Sequence, residues 1–380
     1  MKSRNFVMLA LVAVVAAGAW HVTQRNAPTT EFATAMLYPG LIDRLNDSQQ
    51  LAIASSDGTV TVVRDGERWQ VKEFDGYPAR VVMVRQALIQ LASLKILETK
   101  TSKPEKYVQL GVEDRNMPGA ASRGVQVVTQ NGETTIDLLV GKERPARATN
   151  LPGHYVRRAG ETSAYLVEGE LTFGAKPTEW IDTSVVNIPV ERVRQVTIQP
   201  QDGAAVVVSK ASPEVQLYTL ANLPASHEVR ARATVSSMGG LLLDARLEKV
   251  MAASKLATQV PRAVATVETF DGLTAVVEQF AFEDAAYMTF KFTHTPEKAV
   301  TPPPTTAPAA QIAKNSATPV VAPLKTPAEV AKEVSELNSR VTGWAYGLPD
   351  YKSRLFEKKL ADLIKKKSLP GDQPAPGAKK

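Results

Sequence analysis

The chain contains no cysteine, and this absence excludes several kinds of chemistry at once. Disulfide bonds, thiolate nucleophiles, iron–sulfur clusters, cysteine-ligated zinc and a lipidated N-terminal cysteine all need a cysteine thiol, which the sequence does not supply. The fold must therefore depend on hydrophobic cores. A chain of 380 residues with 44% apolar side chains is expected to build two or three domains.

Histidine is also scarce, and its placement predicts no metal site. The four histidines lie far apart and show no ligand spacing: His21, His154, His227 and His294. The sequence also lacks a phosphate-binding glycine loop, a nucleophile elbow and a dinucleotide-binding turn. The sequence accordingly predicts no catalytic, cofactor-binding or metal-binding residue and no cofactor, and it favours a protein that is not an enzyme.

Charge of one sign is in small excess. The net charge of +6 comes from 45 basic and 39 acidic residues, and the segment from Lys352 onward alone holds nine basic and three acidic residues. The remainder of the chain is nearly neutral. We therefore expect no nucleic-acid partner.

Long apolar runs are absent except at the N-terminus. Lys2 and Arg4 precede an uncharged run, Phe6 to Trp20, and polar residues follow it. This pattern is typical of a signal peptide or a short membrane anchor, whereas a buried core helix is disfavoured because the run is not amphipathic. Ala17-Gly18-Ala19 resembles a cleavage site, but an uncleaved anchor is the favoured interpretation. The basic residues ahead of the run place the N-terminus in the cytoplasm and the body outside.

The body of the chain contains an internal duplication. Residues 51–63 resemble residues 196–208 at a constant offset of 145, and each segment alternates apolar and polar residues around an Asp-Gly pair, Asp57-Gly58 or Asp202-Gly203. Asp-Gly between alternating runs predicts a β-hairpin with a two-residue type I′ turn. Each copy is then expected to continue into a helix.

Proline marks the expected start of these two helices. Pro78-Ala79 and Pro224-Ala225 follow the hairpins, and proline suits a first helical turn. Apolar residues then recur at helical spacing. The first stripe is Val81, Val84, Leu88, Leu91 and Leu94, and the weaker second stripe is Ala231, Val235, Met238 and Leu241.

Further strands are expected after each helix. They include hairpins over 125–139, around Asn131-Gly132, and over 264–282, around Asp271-Gly272. A strand pair at 155–157 and 165–167 is expected in the first copy, and a strand at 287–292 in the second. Asp57, Asp202 and Asp271 are all interpreted as turn residues. The predicted fold class is α+β: two tandem repeats of antiparallel hairpins with a packed helix, an N-terminal membrane segment and C-terminal helices.

The C-terminal part begins with a linker rich in proline, threonine and alanine. Helices are predicted over 328–341 and 352–366. The second has an apolar side formed by Leu355, Phe356, Leu360, Leu363 and Ile364. This side could lie on anionic lipid, but docking onto its own domain is favoured.

These patterns divide the chain into six predicted segments. They are a signal anchor or signal peptide (1–22), a first repeat (23–188), a second repeat (189–294), a linker (295–327), a C-terminal helical segment (328–367) and a disordered tail (368–380).

Several motifs resemble one family, the domain of unknown function 4340 (DUF4340). In the first repeat they are Asp57-Gly58-Thr59-Val60, Trp69-Gln70-Val71, Tyr77-Pro78-Ala79, Leu91-Ala92-Ser93-Leu94, Pro104-Glu105-Lys106-Tyr107 and Leu110-Gly111-Val112. Near the C-terminus they are Asn338, Trp344-Ala345-Tyr346 and Leu348-Pro349-Asp350-Tyr351. The resemblance implies a bacterial envelope protein, often associated with gliding-type ABC transport components, and it transfers no catalytic residue.

Two weaker candidates for chemistry remain. Glu168-Gly169-Glu170 and Glu283-Asp284 lie near predicted strand ends, where carboxylates could converge as in a glycosidase, although charged loop tips are commonplace. Trp69, Trp180 and Trp344 could stack on a glycan or peptide, but core packing is favoured for them.

The expected function is that of a non-enzymatic periplasmic accessory or scaffold module, anchored in the bacterial inner membrane by a single pass. The expected partners are that membrane and possible ABC-type transporter components. The alternatives are a periplasmic protein that binds a glycan, peptide or lipid in the cleft between its repeats, and a hydrolase with dispersed carboxylates.

Overall fold

A computed structural model describes residues 35–129, 131–146, 152–296 and 324–367. The predicted membrane segment, the tail and most of the predicted linker lie outside these residues. Within the described ranges, no helix is both long and apolar enough to cross a bilayer.

The described chain is a mixed α+β fold dominated by antiparallel strands. The first ten strands are β1 (Ser48–Ser55), β2 (Gly58–Asp65), β3 (Arg68–Val71), β4 (Tyr77–Pro78), β5 (Lys95–Thr101), β6 (Arg123–Thr129), β7 (Thr134–Arg144), β8 (Gly153–Arg158), β9 (Ala164–Glu168) and β10 (Ser184–Val186). The others are β11 (Val193–Pro200), β12 (Val206–Ser209), β13 (Thr219–Leu220), β14 (His227–Val229), β15 (Ala245–Arg246), β16 (Lys249–Ala252), β17 (Ala263–Thr269), β18 (Leu273–Phe282), β19 (Ala285–His294), β20 (Trp344–Gly347) and β21 (Ile364–Lys366).

The helices are fewer and mostly short. The α-helices are α1 (Val81–Ala92), α2 (Tyr107–Leu110), α3 (Arg232–Met238), α4 (Pro327–Val341), α5 (Asp350–Ser353) and α6 (Leu360–Leu363). Short 3-10 helices lie at Leu41–Asp47, Lys72–Phe74, Pro104–Lys106, Pro177–Trp180, Val190–Arg192 and Ala253–Leu256. Contacts divide the chain into two units. Among the described residues, the first contains those within 35–57 and 85–173, and the second contains those within 58–84 and 174–367.

The first unit is built on antiparallel strands in the order β1-β6-β7-β8-β9-β5. Alternation along β1 buries Leu51 and Ile53 completely, as expected for a strand with one face on the core. In α1, the predicted stripe is buried at Val84, Leu88 and Leu91, whereas 43% of Val81 is exposed. The period-two pattern of β1 is therefore confirmed, and so is the helical pattern of α1 except at Val81.

The second unit contains a larger antiparallel sheet in the order β13-β12-β11-β17-β18-β19-β20-β16. It also contains the β2-β3-β4 meander and two small sheets, β10-β15 and β14-β21. The predicted hairpin around Asp271-Gly272 is formed by β17 and β18, and β19 covers the strand predicted at 287–292. In α3, Val235 and Met238 are buried as the stripe predicts.

Helix α4 docks on this sheet, and polar side chains near its two ends stabilise it. Thr326 and Glu329 form a capping box at its N-terminus, a feature that contributes about 1 kcal/mol of helix stability. Near its C-terminus, the Asn338 side chain accepts a hydrogen bond from the Phe292 amide at 3.0 Å and donates one to the Phe292 carbonyl at 2.8 Å. A single side chain thereby satisfies both backbone groups of one residue of β19.

The predicted turns differ from those observed. The backbone φ angle is not positive at Ser56 or Asp57, the two residues between β1 and β2, so a type I′ turn does not form there. Between β11 and β12 the loop has five residues, and pairing of these strands ends at Ile198 with Val206. Pro200 at the end of β11 has no amide hydrogen with which to extend the ladder, which explains the longer loop.

Neither proline lies in a first helical turn. Pro78 belongs to β4, three residues ahead of α1, and the strand β14 separates Pro224 from α3. Both predicted helices exist, but each begins later than the proline signal indicates.

The predicted helix over 352–366 is wrong. This segment forms part of α5, the short α6 and the strand β21, which pairs with β14. Tertiary bonds account for the difference: the Lys352 ammonium is buried and donates to the carbonyls of Gly240, Leu241 and Leu243 at 3.0, 3.2 and 2.6 Å. Leu355, Phe356 and Leu363 are buried, so the apolar side docks onto its own unit.

Candidate functional site

The second unit contains a concave site that we call the arginine–aromatic pocket. Its volume is about 500 Å³, which lies in the range of small-molecule sites. The side chains that give it its chemistry are Arg68, Tyr77, Arg80, Asp182, Arg340 and Trp344. They come from β3, β4, the loop before β10, the end of α4 and β20.

A tight turn forms one wall of the pocket. Asp75 and Gly76, between the 3-10 helix 72–74 and β4, both have positive φ, at 54° and 82°. A Cβ atom on Gly76 would lie 2.9 Å from the Gln70 side-chain oxygen, a flexible group that can move, so the positive φ is what favours glycine there. The turn returns the chain onto β3 and thereby brings Tyr77 and Arg80 to the same side as Arg68.

Polar contacts hold this wall to the remainder of the second unit. The Asp75 carboxylate accepts a hydrogen bond from the Ala252 amide at 3.1 Å and pairs with the Lys255 ammonium at 2.6 Å. Burial opposes ionisation of Asp75, but these two donors outweigh it and lower the pKa of the carboxyl group. The Arg80 amide also donates to the Trp180 carbonyl at 2.7 Å.

Aromatic rings also line the pocket. The rings of Tyr77 and Trp344 meet edge to face, with centroids 4.9 Å apart and an interplanar angle of 78°. Tyr346 packs against Tyr77 in the same manner at 6.2 Å, and its hydroxyl donates to the Arg340 carbonyl at 3.2 Å. Burial raises the pKa of Tyr77, and the nearby Asp182 acts in the same direction, so the phenol stays neutral.

The pocket carries more positive than negative charge. Arg68, Arg80 and Arg340 are exposed, and none of them forms an ion pair within the described residues. Arg340 donates to the Val185 carbonyl at 3.4 Å. Asp182 is the only carboxylate among the described residues lining the pocket, and it accepts a hydrogen bond from the Ser184 amide at 2.9 Å. This arrangement suits recognition of an anion, because a guanidinium group presents paired donors to carboxylate or phosphate oxygens.

Asp271 is not simply a turn residue, contrary to the sequence-based interpretation. Its side chain is 1% exposed and accepts from Arg192 Nε at 2.8 Å, while the Thr269 hydroxyl lies 2.5 Å away. Arg192 also forms a bidentate pair with Glu333 of α4, at 3.0 and 2.8 Å. Lys325 pairs with the same carboxylate at 2.8 Å.

Burial in this cluster opposes ionisation of Asp271 and Glu333. Their interactions with Arg192, and that of Glu333 with Lys325, nevertheless lower the pKa of both carboxyl groups. Because both carboxylates are paired with basic side chains, the cluster holds α4 in place and offers no free general base.

The predicted carboxylate pairs fall in different units. Glu168 and Glu170 belong to the first unit, whereas Glu283-Asp284 forms the turn between β18 and β19 in the second. The latter pair lines a cavity of about 470 Å³ together with Glu248, Asp350 and Glu357, and with Lys249, Arg262 and Arg354 interspersed. Opposite charges are thus mixed along this surface. The described residues contain no group of three or more potential ligands that could hold a metal ion.

The histidines and tryptophans that the sequence offered as candidates lie at separate places. His154, His227 and His294 are half-buried at separate places on strands, and His21 lies outside the described residues. Trp69 and Trp180 are buried in the core, in agreement with the favoured interpretation. Trp344 is only half-buried and lines the arginine–aromatic pocket.

Sequence reasoning missed the three arginines because none belongs to a motif and Arg340 is distant in the chain from Arg68 and Arg80. The motif segments Tyr77-Pro78-Ala79 and Trp344-Ala345-Tyr346, however, meet at the pocket through the contact of Tyr77 with Trp344. A tertiary contact therefore connects two stretches that the sequence presents separately.

Comparison with known families gives one match. The family model described as a domain of unknown function (DUF4340) matches residues 69–262, about half of the chain. No curated protein matches the chain.

Proposed function

Because the chain belongs to the DUF4340 family, we propose that it is a non-enzymatic, membrane-anchored periplasmic accessory or scaffold module of an ABC-type envelope transport or gliding-like system. The observation that carries this proposal is the uncharged run Phe6 to Trp20 behind Lys2 and Arg4, ahead of a body of two α+β units. Retention of this run as an anchor keeps the body beside the proteins of the inner membrane.

The body is proposed to have arisen by duplication, and matched details support this. Strands β1 (Ser48–Ser55) and β11 (Val193–Pro200) have equal length and lie 145 residues apart. Each has its register shift after its first residue, in pairing with β6 and β17 respectively. Duplication supplies two similar surfaces without requiring an active site, which suits a scaffold.

Recovery of partners from membranes tests the accessory function. The full chain carrying an affinity tag is expressed in its own host, crosslinked in intact cells and purified from solubilised membranes. The expected result is stoichiometric recovery of a transporter component. The control is the same body behind a cleavable signal peptide, which should be released and recover much less partner. Recovery of the full chain alone would overturn the proposal.

A second candidate function is binding of a periplasmic ligand, and one observation favours it. The arginine–aromatic pocket combines an excess of arginine with a half-buried tryptophan in a cavity of ligand size. The supporting site lies in the second unit. A thermal-shift screen of the full chain against glycans, peptides and lipids tests this function, because a ligand that binds the folded state raises the melting temperature.

A further inference from the structure

The three arginines of the arginine–aromatic pocket are arranged unlike ordinary surface arginines. Arg68 begins β3, Arg80 follows β4, and Arg340 lies in the last turn of α4, yet all three line one concave cavity. Like charges gathered around a concavity repel one another, and the surrounding protein weakens solvent screening. An anion that enters the pocket relieves this repulsion.

Asp182 does not balance this charge. One carboxylate faces three guanidinium groups, and one of its oxygens already accepts the Ser184 amide. The cationic excess is therefore available to a ligand with at least one oxyanion group.

The aromatic wall adds a second requirement. A cavity of about 500 Å³ is larger than a simple inorganic anion needs, and Trp344 is half-buried along it. Tyr77 fixes the orientation of the Trp344 indole by its edge-to-face contact. A flat or puckered ring beside the oxyanion would cover the exposed part of the indole and remove its apolar surface from water.

We propose that this pocket binds an oxyanion carried on a sugar-sized ring, that is, a sugar phosphate or a sugar carboxylate. Arg68 and Arg80 bind the oxyanion, and Trp344 packs against the ring. Arg340, held by the Val185 carbonyl, adds positive charge at the rim. This inference rests on the ligand-binding function proposed above and assigns it a ligand class.

The same chemistry can come from a soluble sugar phosphate or from a phospholipid headgroup that carries a ring on its phosphate, such as phosphatidylinositol. The full chain in neutral-lipid nanodiscs is therefore titrated calorimetrically with glucose 1-phosphate, glucuronate, inorganic phosphate and glucose. A parallel arm measures binding of the same preparation to vesicles that contain phosphatidylinositol or phosphatidylcholine.

The expected result is that glucose 1-phosphate and glucuronate bind more tightly than inorganic phosphate, and that glucose does not bind. Arg68→Gln/Arg80→Gln should weaken binding of both sugar anions at least about tenfold, equivalent to about 1.4 kcal/mol. Both side chains are exposed, so the double variant is expected to fold. Arg232→Gln replaces an exposed arginine of the same unit outside the pocket and should bind as the wild type does. Binding to phosphatidylinositol vesicles alone, lost in the double variant, would identify the headgroup as the source.

Three results would overturn the proposal. Equal binding by the double variant and the wild type would show that Arg68 and Arg80 do not bind the oxyanion. Binding of glucose as tightly as glucose 1-phosphate would leave the ligand-binding function standing but exclude the oxyanion class. Failure of every soluble probe and of both vesicles to bind would reject the ligand class, and a negative thermal-shift screen would then reject the ligand-binding function as well.

Discussion

Two hairpin tips, one in each unit, contain the same threonine contact but differ in the environment of the residue two positions after that threonine. In the first unit the Thr129 hydroxyl contacts the Glu133 carbonyl at 3.3 Å, and in the second the Thr269 hydroxyl contacts the Leu273 carbonyl at 3.1 Å. The residue two positions after each threonine is Asn131 or Asp271. Asn131 is exposed, whereas Asp271 is buried against Arg192.

The difference shows that a turn motif alone does not determine the environment of its polar residue. Both tips place glycine, Gly132 or Gly272, at positive φ, which is the conformation that Asn-Gly and Asp-Gly favour. Arg192 and the docking of α4 make the second tip an anchor. The two tips should therefore respond differently to substitution and to acid.

Arg192→Met should destabilise the second unit by about 3–5 kcal/mol, because it leaves the buried Asp271 carboxylate without its cationic partner. Chemical unfolding followed by tryptophan fluorescence measures this effect, since Trp69, Trp180 and Trp344 all belong to that unit. The control is Arg246→Met, which removes an exposed pair with Asp244 and should cost at most about 1 kcal/mol. Equal costs for the two variants would contradict an anchoring role of the second tip.

Thr269→Val should cost about 1–3 kcal/mol, because the Leu273 amide and the Asp271 carboxylate lose a buried hydrogen-bond partner. Thr129→Val removes only the contact with the Glu133 carbonyl and should cost about 0.5–1.5 kcal/mol. Hydrogen exchange of the two hairpins compares the effects within one molecule. A larger loss of protection at the first tip would reverse the ranking.

Acid should affect the two tips differently. The pKa values of Asp271 and Glu333 are lowered in the folded state, so their stabilising contribution is complete above the unfolded values of about 4 and is lost as the pH falls through the folded ones. The stability difference between wild type and Arg192→Met should therefore shrink between about pH 5 and pH 3, because protonation removes the unpaired charges.

Asn131→Asp serves as the control for the acid experiment. It adds a carboxyl group at the exposed tip, and its stability should stay within about 0.5 kcal/mol of wild type across this range, because surface changes are usually small. A stability difference between wild type and Arg192→Met that stays constant over this pH range would show that protonation of the buried cluster is not linked to unfolding.

Local periodicity was sufficient to predict the strands of the main hairpins and most of the buried stripe of α1. Leu51 and Ile53 on β1, and Val84 and Leu91 on α1, occupy positions that alternation or helical spacing dictates. Interactions distant in sequence were not predictable in this way. Lys352 is held by backbone carbonyls more than 100 residues earlier in the chain. Its segment therefore does not form the continuous helix that its apolar spacing favours.

The candidate site was not predictable either, because it depends on contacts between residues distant in sequence. Trp344 was a sequence candidate, but Arg68, Arg80 and Arg340 become neighbours of the same cavity only when the β2-β3-β4 meander and α4 belong to one unit. Gly76 and Asp75, which both have positive φ, shape one wall of the pocket. They belong to no sequence motif that would indicate a ligand.

Asn338 has a consequence for the solubility of the protein. By bonding both the amide and the carbonyl of Phe292, its carboxamide imitates one residue of a neighbouring strand. Exposed strand edges invite pairing with other chains, and such pairing leads to aggregation. One side chain of α4 thus blocks a position on β19 at which a second molecule could begin a shared sheet.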